Sequence, residues 1–334
     1  MKIQNKKVIV TGGAGNIGSH VVDVLVETGN DVTVVDDLSV GSLDKIKHHG
    51  KNIKFIKADI RDLKKMRKIV KDADYVFHLA VQCLRLSIKD PFLVNEVNIN
   101  GTLNLLQAAT ENSVGKFVYI SSSEAYGSAV RLPMDEEHPL QPTTPYGASK
   151  VAGEHYVNAY RLTYGLKTQI VRPFNAYGPR ADVHGIYGTV IPRFLIRVLN
   201  GHPPVIYGDG EQCRDYTYVR DDAEGIVAVG GADFLRGRPV NISRGQPITV
   251  NKIAQYVLEI TGRADLKPMK YKPRPADVRM HFGDNRLAKK LLGFEAKVDV
   301  KNGIKMYMDW LLEQEKQKPG YLKKLFQLTP VEAW

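Results

Sequence analysis

The run Val8-Ile9-Val10-Thr11-Gly12-Gly13-Ala14-Gly15-Asn16-Ile17-Gly18 constrains the fold more than any other part of the chain. A short apolar strand enters a glycine-rich turn, with Gly12, Gly15 and Gly18 spaced G-x-x-G-x-x-G, and an amphipathic helix leaves it. The first two glycines let the backbone turn tightly and approach a pyrophosphate, while Gly18 lets the helix pack closely on the strand. The helix opens at Asn16-Ile17, so its unpaired N–H groups and positive dipole end face the phosphates. Glycine also serves ordinary tight turns; its place in the first strand–helix unit is what points to a dinucleotide.

Asp36 ends the next strand, 18 residues beyond Gly18, where a carboxylate can accept hydrogen bonds from an adenosine ribose. That acid disfavours a 2′-phosphate, and Asp37-Leu38-Ser39 brings no arginine to receive one, so NAD is expected rather than NADP. Alone, Asp36 is equally a turn residue at a strand end. Asp59-Ile60, after the third strand, is either an adenine contact or a turn.

Around this unit the first half alternates short apolar strands with amphipathic helices. The strands are Lys7–Val10, Asp31–Val35, Lys54–Lys57, Tyr75–Leu79, Lys116–Ile120 and Thr168–Val171; helices lie near Ile17–Thr28, Asp62–Lys71, Leu93–Asn112 and Tyr146–Tyr164. The pattern predicts an α/β fold, a Rossmann-type doubly wound parallel sheet with helices on both faces. Beyond Arg172 proline and glycine punctuate the chain, and segments to about residue 280 read as short, apart from a helix near Pro192–Asn200. With a last helix near Asn302–Glu315, this half is expected to form a smaller mixed α/β substrate-binding lobe that walls a cleft.

Composition excludes several classes. Hydrophobic content of 43% and charged content of 25% are globular values, not those of a disordered chain. No stretch approaches the roughly 18 apolar residues of a membrane span, and the apolar run ending at Gly12 is too short for a signal-peptide core. Cys83 and Cys213 cannot frame a disulfide scaffold, so a cytoplasmic protein is expected. A net charge of +11 and a pI near 9.4 raise the question of nucleic acid. The basic residues are dispersed in pairs such as Lys64-Lys65 and Lys289-Lys290, without a recognition-helix, zinc-ligand or aromatic RNA-binding pattern. A solvated basic surface suited to a small anionic substrate is expected, with no nucleic-acid, membrane or metal partner.

Tyr146-Gly147-Ala148-Ser149-Lys150 sets a tyrosine and a lysine four residues apart, on one face of a helix whose start tolerates Pro145. A phenol with a pKa of about 10 is a poor base at neutral pH. A lysine ammonium one turn away, together with a positive nicotinamide ring, would favour the phenolate. By itself Y-x-x-x-K is more often a surface pair. Ser121-Ser122-Ser123 closes the fifth strand and sets hydroxyls at the carboxyl end of the sheet, where ligands bind in such folds.

Taken in order, Thr11-Gly12-Gly13-Ala14-Gly15, Asp36-Asp37-Leu38, His78-Leu79-Ala80, Ser121-Ser122-Ser123 with Tyr126-Gly127, and Tyr146 to Lys150 resemble the extended short-chain dehydrogenase/reductase family. The likeness is to its NAD-dependent nucleotide-sugar epimerases and dehydratases, of the UDP-glucose 4-epimerase kind. Arg172 to Arg180, Ile206 to Tyr216 and Arg274-Pro275-Ala276-Asp277-Val278-Arg279 continue the match through the second half. The resemblance implies Tyr146 as catalytic base, Lys150 as its partner and a ribose ligand, and Ser122 as the hydroxyl on the sugar oxygen, with Ser123 and Glu124 beside it. Gly12, Gly15, Asn16, Ile17, Gly18, Asp36, Asp37, Asp59, Ile60, Leu79, Ala80 and Pro173 would hold NAD together with Tyr146 and Lys150. Asn175, Arg214 and Arg279 would hold a nucleoside diphosphate, the arginines through their planar forks, and Val190 and Tyr207 would flank its base. As isolated residues, Arg214 and Arg279 are equally surface ion-pair partners. Residues 1–172 would then bind NAD, with segments near 213–237 and 280–288 returning to that domain, and 173–334 would mainly bind the nucleotide sugar. A homodimer is also implied, built by packing Leu93–Asn112 and Tyr146–Tyr164 into a four-helix bundle.

The implied chemistry is oxidation of the sugar C4 hydroxyl to a transient ketone. Returning the hydride to the other face gives a 4-epimer, the favoured branch. Eliminating water across C5 and C6 makes a 4,6-dehydratase, and losing carbon dioxide makes a UDP-glucuronate decarboxylase. Glu124, two residues after Ser122, resembles the acid of dehydratases and decarboxylases, although Ser123 stands where many dehydratases have aspartate. Arg85 is the nearest cation for a uronate carboxylate. A non-catalytic NAD-sensing Rossmann protein would need the glycine turn but not Ser122, Tyr146 and Lys150 together.

Overall fold

The computed structural model describes residues 3–183, 187–273 and 278–329. The first half runs β1 (Lys7–Thr11), α1 (Asn16–Glu27), β2 (Asp31–Asp36), β3 (Ile53–Lys57), α2 (Leu63–Ile69), β4 (Tyr75–His78), α3 (Leu84–Lys89), α4 (Pro91–Asn95), α5 (Gly101–Glu111), β5 (Lys116–Ile120), α6 (Pro145–Tyr164) and β6 (Thr168–Pro173). The second half runs β7 (Asn175–Tyr177), α7 (Val190–Leu199), β8 (Val205–Tyr207), β9 (Cys213–Tyr218), α8 (Val219–Gly230), β10 (Pro239–Ile242), β11 (Pro247–Thr249), α9 (Val250–Ile260), β12 (Met269–Tyr271), β13 (Met280–His281), α10 (Arg286–Leu292), α11 (Val300–Gln317) and α12 (Tyr321–Gln327).

Seven parallel strands form the main sheet in the order β10-β6-β5-β4-β1-β2-β3. Buried Val8 and Val10 sit between Val32 and Val34 on β2 and Tyr75 and Phe77 on β4, so β1 is the seam from which the order runs both ways. Gly12 N–H donates to Val35 O at 2.8 Å and Leu79 N–H to Thr11 O at 3.0 Å, so the ladder holds to the strand ends. Connections leave this seam for opposite faces of the sheet, which opens a crevice at the carboxyl ends of β1, β2 and β4. One face is filled by α1, α8 and α10, the other by α2, α5 and α6, each over a continuous apolar core.

The second lobe surrounds β9, which pairs in parallel with β7 and β13 and antiparallel with β11, while β8 and β12 form a separate parallel pair. Its core joins Tyr177, Phe194, Ile206, Ile253 and Tyr307 from β7, α7, β8, α9 and α11. The later chain contains more regular structure than its proline and glycine predict: α8 has 12 residues and α9 has 11. Helix α9 buries one amphipathic face and α8 is buried nearly all round, packing that overrides the punctuation around them. The segments that return to the first lobe are α8 to β10 and α10, whereas β9 and β13 stay with the second sheet. The expected helix Leu93–Asn112 is interrupted by a π-helical turn at Glu96–Asn100. Among the described residues no helix is long and apolar enough to cross a membrane.

Candidate active site

A cleft of about 350 Å³ opens at the carboxyl ends of the main sheet, and Gly12, Gly15, Asn16, Ile17 and Gly18 form its floor. Two of these glycines are obligatory. A Cβ on Gly12, at φ 68°, would lie 2.5 Å from Ala80 N, and one on Gly18 would lie 2.1 Å from Gly12 O. These contacts seat the turn tightly against the end of β4 and the start of α1, and the cleft opens above it with the N-terminus of α1 at its floor. Asp36, Asp37, Asp59, Ile60, Leu79, Ala80 and Pro173 line the same cleft. The Asp36 carboxylate accepts from Ala14 N–H at 3.0 Å and Leu38 N–H at 2.9 Å. Burial pushes its pKa up against those two bonds. Asp37 accepts from Ser39 N–H and hydroxyl, and Asp59 pairs with Arg61, so both also serve their own turns.

At the other end of the cleft stand Ser122, Tyr146 and Lys150. Helix α6 is capped by Thr144, whose hydroxyl accepts from Gly147 N–H at 3.1 Å, and begins at Pro145, so Tyr146 lies in its first turn. Tyr146 N–H donates to Ser87 Oγ at 3.1 Å, Ser149 Oγ donates to Tyr146 O at 2.7 Å, and the Ser122 hydroxyl hydrogen-bonds the phenol. Burial drives the Tyr146 pKa above its ordinary value, with Ser122 pulling it back and Glu124 adding to the rise. The same burial lowers Lys150 to about 7, opposed by the charge of Glu154. Lys150 Nζ donates to Ile120 O at 2.6 Å and stands 4.7 Å from the Tyr119 ring centre. Burial thus presses both groups toward neutrality, and at Tyr146 the Ser122 hydrogen bond opposes it.

Ser123 and Glu124 do not line the cleft. Ser123 is buried in the 3-10 turn after β5, and its carbonyl accepts from Tyr126 N–H. Glu124 is half-buried one position further, near enough for its charge to act on Tyr146.

The remaining predicted residues lie outside this cleft, mostly on the second lobe. Asn175 Nδ2 donates to Asp215 O at 3.3 Å, Arg214 Nη1 to Val278 O at 2.6 Å, and Arg85 Nη1 to Gly188 O at 2.6 Å. Arg279 is exposed and ion-paired with Asp209 at 2.7 Å, while the β9–β13 register and the bond from Cys213 N–H to Arg279 O bring it alongside β9. Tyr207 is buried with its ring edge-on to Tyr271, and Val190 opens α7 against the second core. Arg274, Pro275, Ala276 and Asp277 lie outside the described residues.

The family model described as GDP-mannose 4,6 dehydratase matches residues 9–307. The chain belongs to the nucleotide-sugar epimerase and dehydratase family of extended short-chain dehydrogenases/reductases. A UDP-glucose 4-epimerase of Mycolicibacterium smegmatis is 36% identical over 304 residues, covering 89% of this chain and 96% of that protein. The structure of Thermotoga maritima UDP-glucose 4-epimerase with UDP-glucose is 37% identical, with a TM-score of 0.85 over 92% of this chain and 99% of that one. The UDP-glucose 4-epimerase of Thermus thermophilus, solved in complex with NAD, is 36% identical, with a TM-score of 0.81 over 91% of this chain and 98% of that one.

In this member of the family, two buried groups behind the site were given no role by the sequence: His78, which stands in the His78-Leu79-Ala80 motif, and Asn98, which stands in none. Thr102 spends its hydroxyl proton on Asn98 O at 2.6 Å, so it accepts from His78 Nε2–H at 2.8 Å, and Thr11 donates to His78 Nδ1 at 2.8 Å. Burial, with Lys150 next, lowers His78 to about 3, which keeps it neutral in that tautomer. Asn98, inside the π turn, accepts from Gln82 N–H at 2.8 Å and donates to Ser149 Oγ at 3.0 Å, tying the cleft wall to α6. Asn95, Asn100 and Asn104 flank Asn98 in the sequence, so nothing there singled it out.

Proposed function

We propose that this chain is an NAD-dependent nucleotide-sugar 4-epimerase. The observation that carries the reading is the placement of Ser122, Tyr146 and Lys150 in the same cleft as the glycine cradle and Asp36. NAD, when bound, supplies a hydride acceptor that takes the sugar C4 hydride and gives it back. Tyr146, as phenolate, removes the proton from the C4 hydroxyl, and the Ser122 hydroxyl holds the same oxygen by hydrogen bond. Lys150, fixed under Ile120 O, holds the cofactor ribose and supplies positive charge at that end of the cleft. Gly12 to Gly18 receive the pyrophosphate, Asp36 the adenosine ribose, and Asn175, Arg214 and Arg279 the substrate diphosphate, with Val190 and Tyr207 beside its base. Residues 1–172, with the returning strands and helices, form the cofactor domain, and 173–334 mainly form the substrate lobe.

A 4,6-dehydratase is the second reading, favoured by the proximity of the Glu124 carboxylate to Tyr146. Purified protein incubated in D₂O with a panel of UDP-, GDP-, dTDP- and CDP-sugars separates the two by NMR and mass. A product of unchanged mass, inverted at C4 and free of carbon-bound deuterium, supports the epimerase; loss of water with deuterium gained supports the dehydratase. We place the enzyme in the cytoplasm, a reading supported by two unpaired thiols at Cys83 and Cys213. We also propose a homodimer. Tyr156, Leu162 and Tyr164 leave apolar surface exposed on α6, an expected bundle helix, and Ile88 and Phe92 do so on α3 and α4, which lead into the other.

A further inference from the structure

Two ion pairs fasten segments that border the cleft: Lys45–Asp182 links one rim to the other, and Arg180–Asp23 anchors the second rim to α1. One rim is Ser39 to Gly41, which runs into the 3-10 turn Leu43–Lys45; the other is Ala181 and Asp182, which follow β7 through Gly178 and Pro179. Arg180 holds a left-handed φ of 65° and turns its side chain away from the cleft lining, back onto α1. Its guanidinium forks onto the Asp23 carboxylate, with Nη1 3.3 Å from Oδ1 and Nη2 on Oδ2, and Nη1 donates to Lys45 O at 2.9 Å. Two positions along, Asp182 Oδ1 accepts from Lys45 Nζ at 2.6 Å, in a pair with side-chain exposures of 11% and 15%.

The anchor is over-determined on the α1 side. Asp23 Oδ1 accepts from His48 Nε2 at 2.9 Å and His49 Nε2 at 2.8 Å, while His20 donates to Pro179 O at 3.0 Å and accepts from Arg180 Nη2 at 2.6 Å. Asp23, His48 and His49 would offer three donors to a cation, but the guanidinium already occupies that carboxylate and repels one. The cluster is therefore an ion-pair anchor. Burial pushes Asp23 up, and Arg180 and His48 outweigh it to bring the carboxyl down to about 2, so the anchor stays charged across the working pH range.

We infer that Arg180 and Lys45 are positioning residues that strap the two rims of the cleft together and set how long the protein retains NAD. The strap rests on the cofactor reading above. Retention matters because the reaction returns its hydride: a cofactor lost between the two transfers would strand the keto sugar. Neither Arg180 nor Lys45 lines the cleft, so each acts through Ala181 and Asp182, which do.

The test is the release rate of NAD from the loaded protein on dilution, with bound nucleotide quantified by chromatography. In Arg180→Gln and in Lys45→Gln, release should quicken on the order of tenfold, equivalent to about 1.4 kcal/mol. Arg180→Lys, which keeps the charge but not the fork, should fall between. Activity lost on dilution should return when free NAD is added. Release rates equal to wild type in both glutamine variants would overturn the strap, as would activity that added NAD does not restore. Should Arg180→Gln not fold, Lys45→Gln decides alone. Wild-type protein that binds no NAD would overturn the cofactor reading itself, a failure distinct from equal release rates.

Discussion

Tyr146 and Lys150 occupy an environment that makes each less stable in its charged form, which in the proposed mechanism is the cost of setting a base beside a ketone-forming carbon. Tyr146→Phe should retain NAD and lose turnover by about 10²–10⁴-fold, the usual value of a positioned acid–base group; unchanged kcat would remove Tyr146 from the scheme. Lys150 carries a stability signature as well. Its pKa is near 7 in the fold and 10.5 ordinarily, so below pH 7 both states hold the proton and the fold bears the full cost of the buried ammonium. Between pH 7 and 10.5 the unfolded chain holds more protons, so this group's contribution makes stability rise with pH, by up to about 1.4 kcal/mol per unit. Denaturant melts of wild type and Lys150→Met over pH 7–10 should diverge accordingly; parallel profiles would contradict the buried, depressed lysine. The residue types of this site were legible because a dinucleotide turn and a Tyr–Lys pair need fixed spacings. Asn98 was not, and His78 stood in a motif without a role, since both depend on Thr11, Thr102 and Ser149, which only the folded chain brings to them.

Helix α6 delivers Tyr146, the proposed base, and its height above the sheet is set by Gly153. A Cβ there would lie 2.1 Å from the hydroxyl of Tyr119, a fully buried residue on β5 whose phenol reaches Lys150 O at 3.4 Å. Gly153→Ala should therefore lift α6, destabilise the protein by about 1–3 kcal/mol and lower kcat. Removing the hydroxyl with Tyr119→Phe should recover part of both losses. Normal melting and full activity in Gly153→Ala would show that α6 is not seated this way. Strands β1 to β6 were readable because each is a short apolar run bounded by turns. Helix α8 and strand β10 were not, because their partners α1 and β6 lie far away in sequence. The π turn was equally hidden, since it shifts a helix by one residue without a proline to announce it.

For the whole molecule, the sheet order and the two lobes leave a cleft that joins the glycine turn to Tyr146 and Lys150, and α3, α4 and α6 leave apolar side chains exposed. Phe92 is 84% exposed and Leu162 67%, so both are open to a partner helix. Light scattering at micromolar concentration should give twice the chain mass, and Leu162→Lys with Phe92→Lys should shift it toward the monomer; a wild-type monomer would refute the bundle. The chemistry can be tested more directly still. A nucleotide sugar carrying deuterium at C4, turned over in ordinary water, should yield the C4 epimer with its deuterium still at C4, because the hydride leaves and returns within one active site. Deuterium washed out to solvent, or recovered at C6 of a dehydrated product, would contradict the epimerase account.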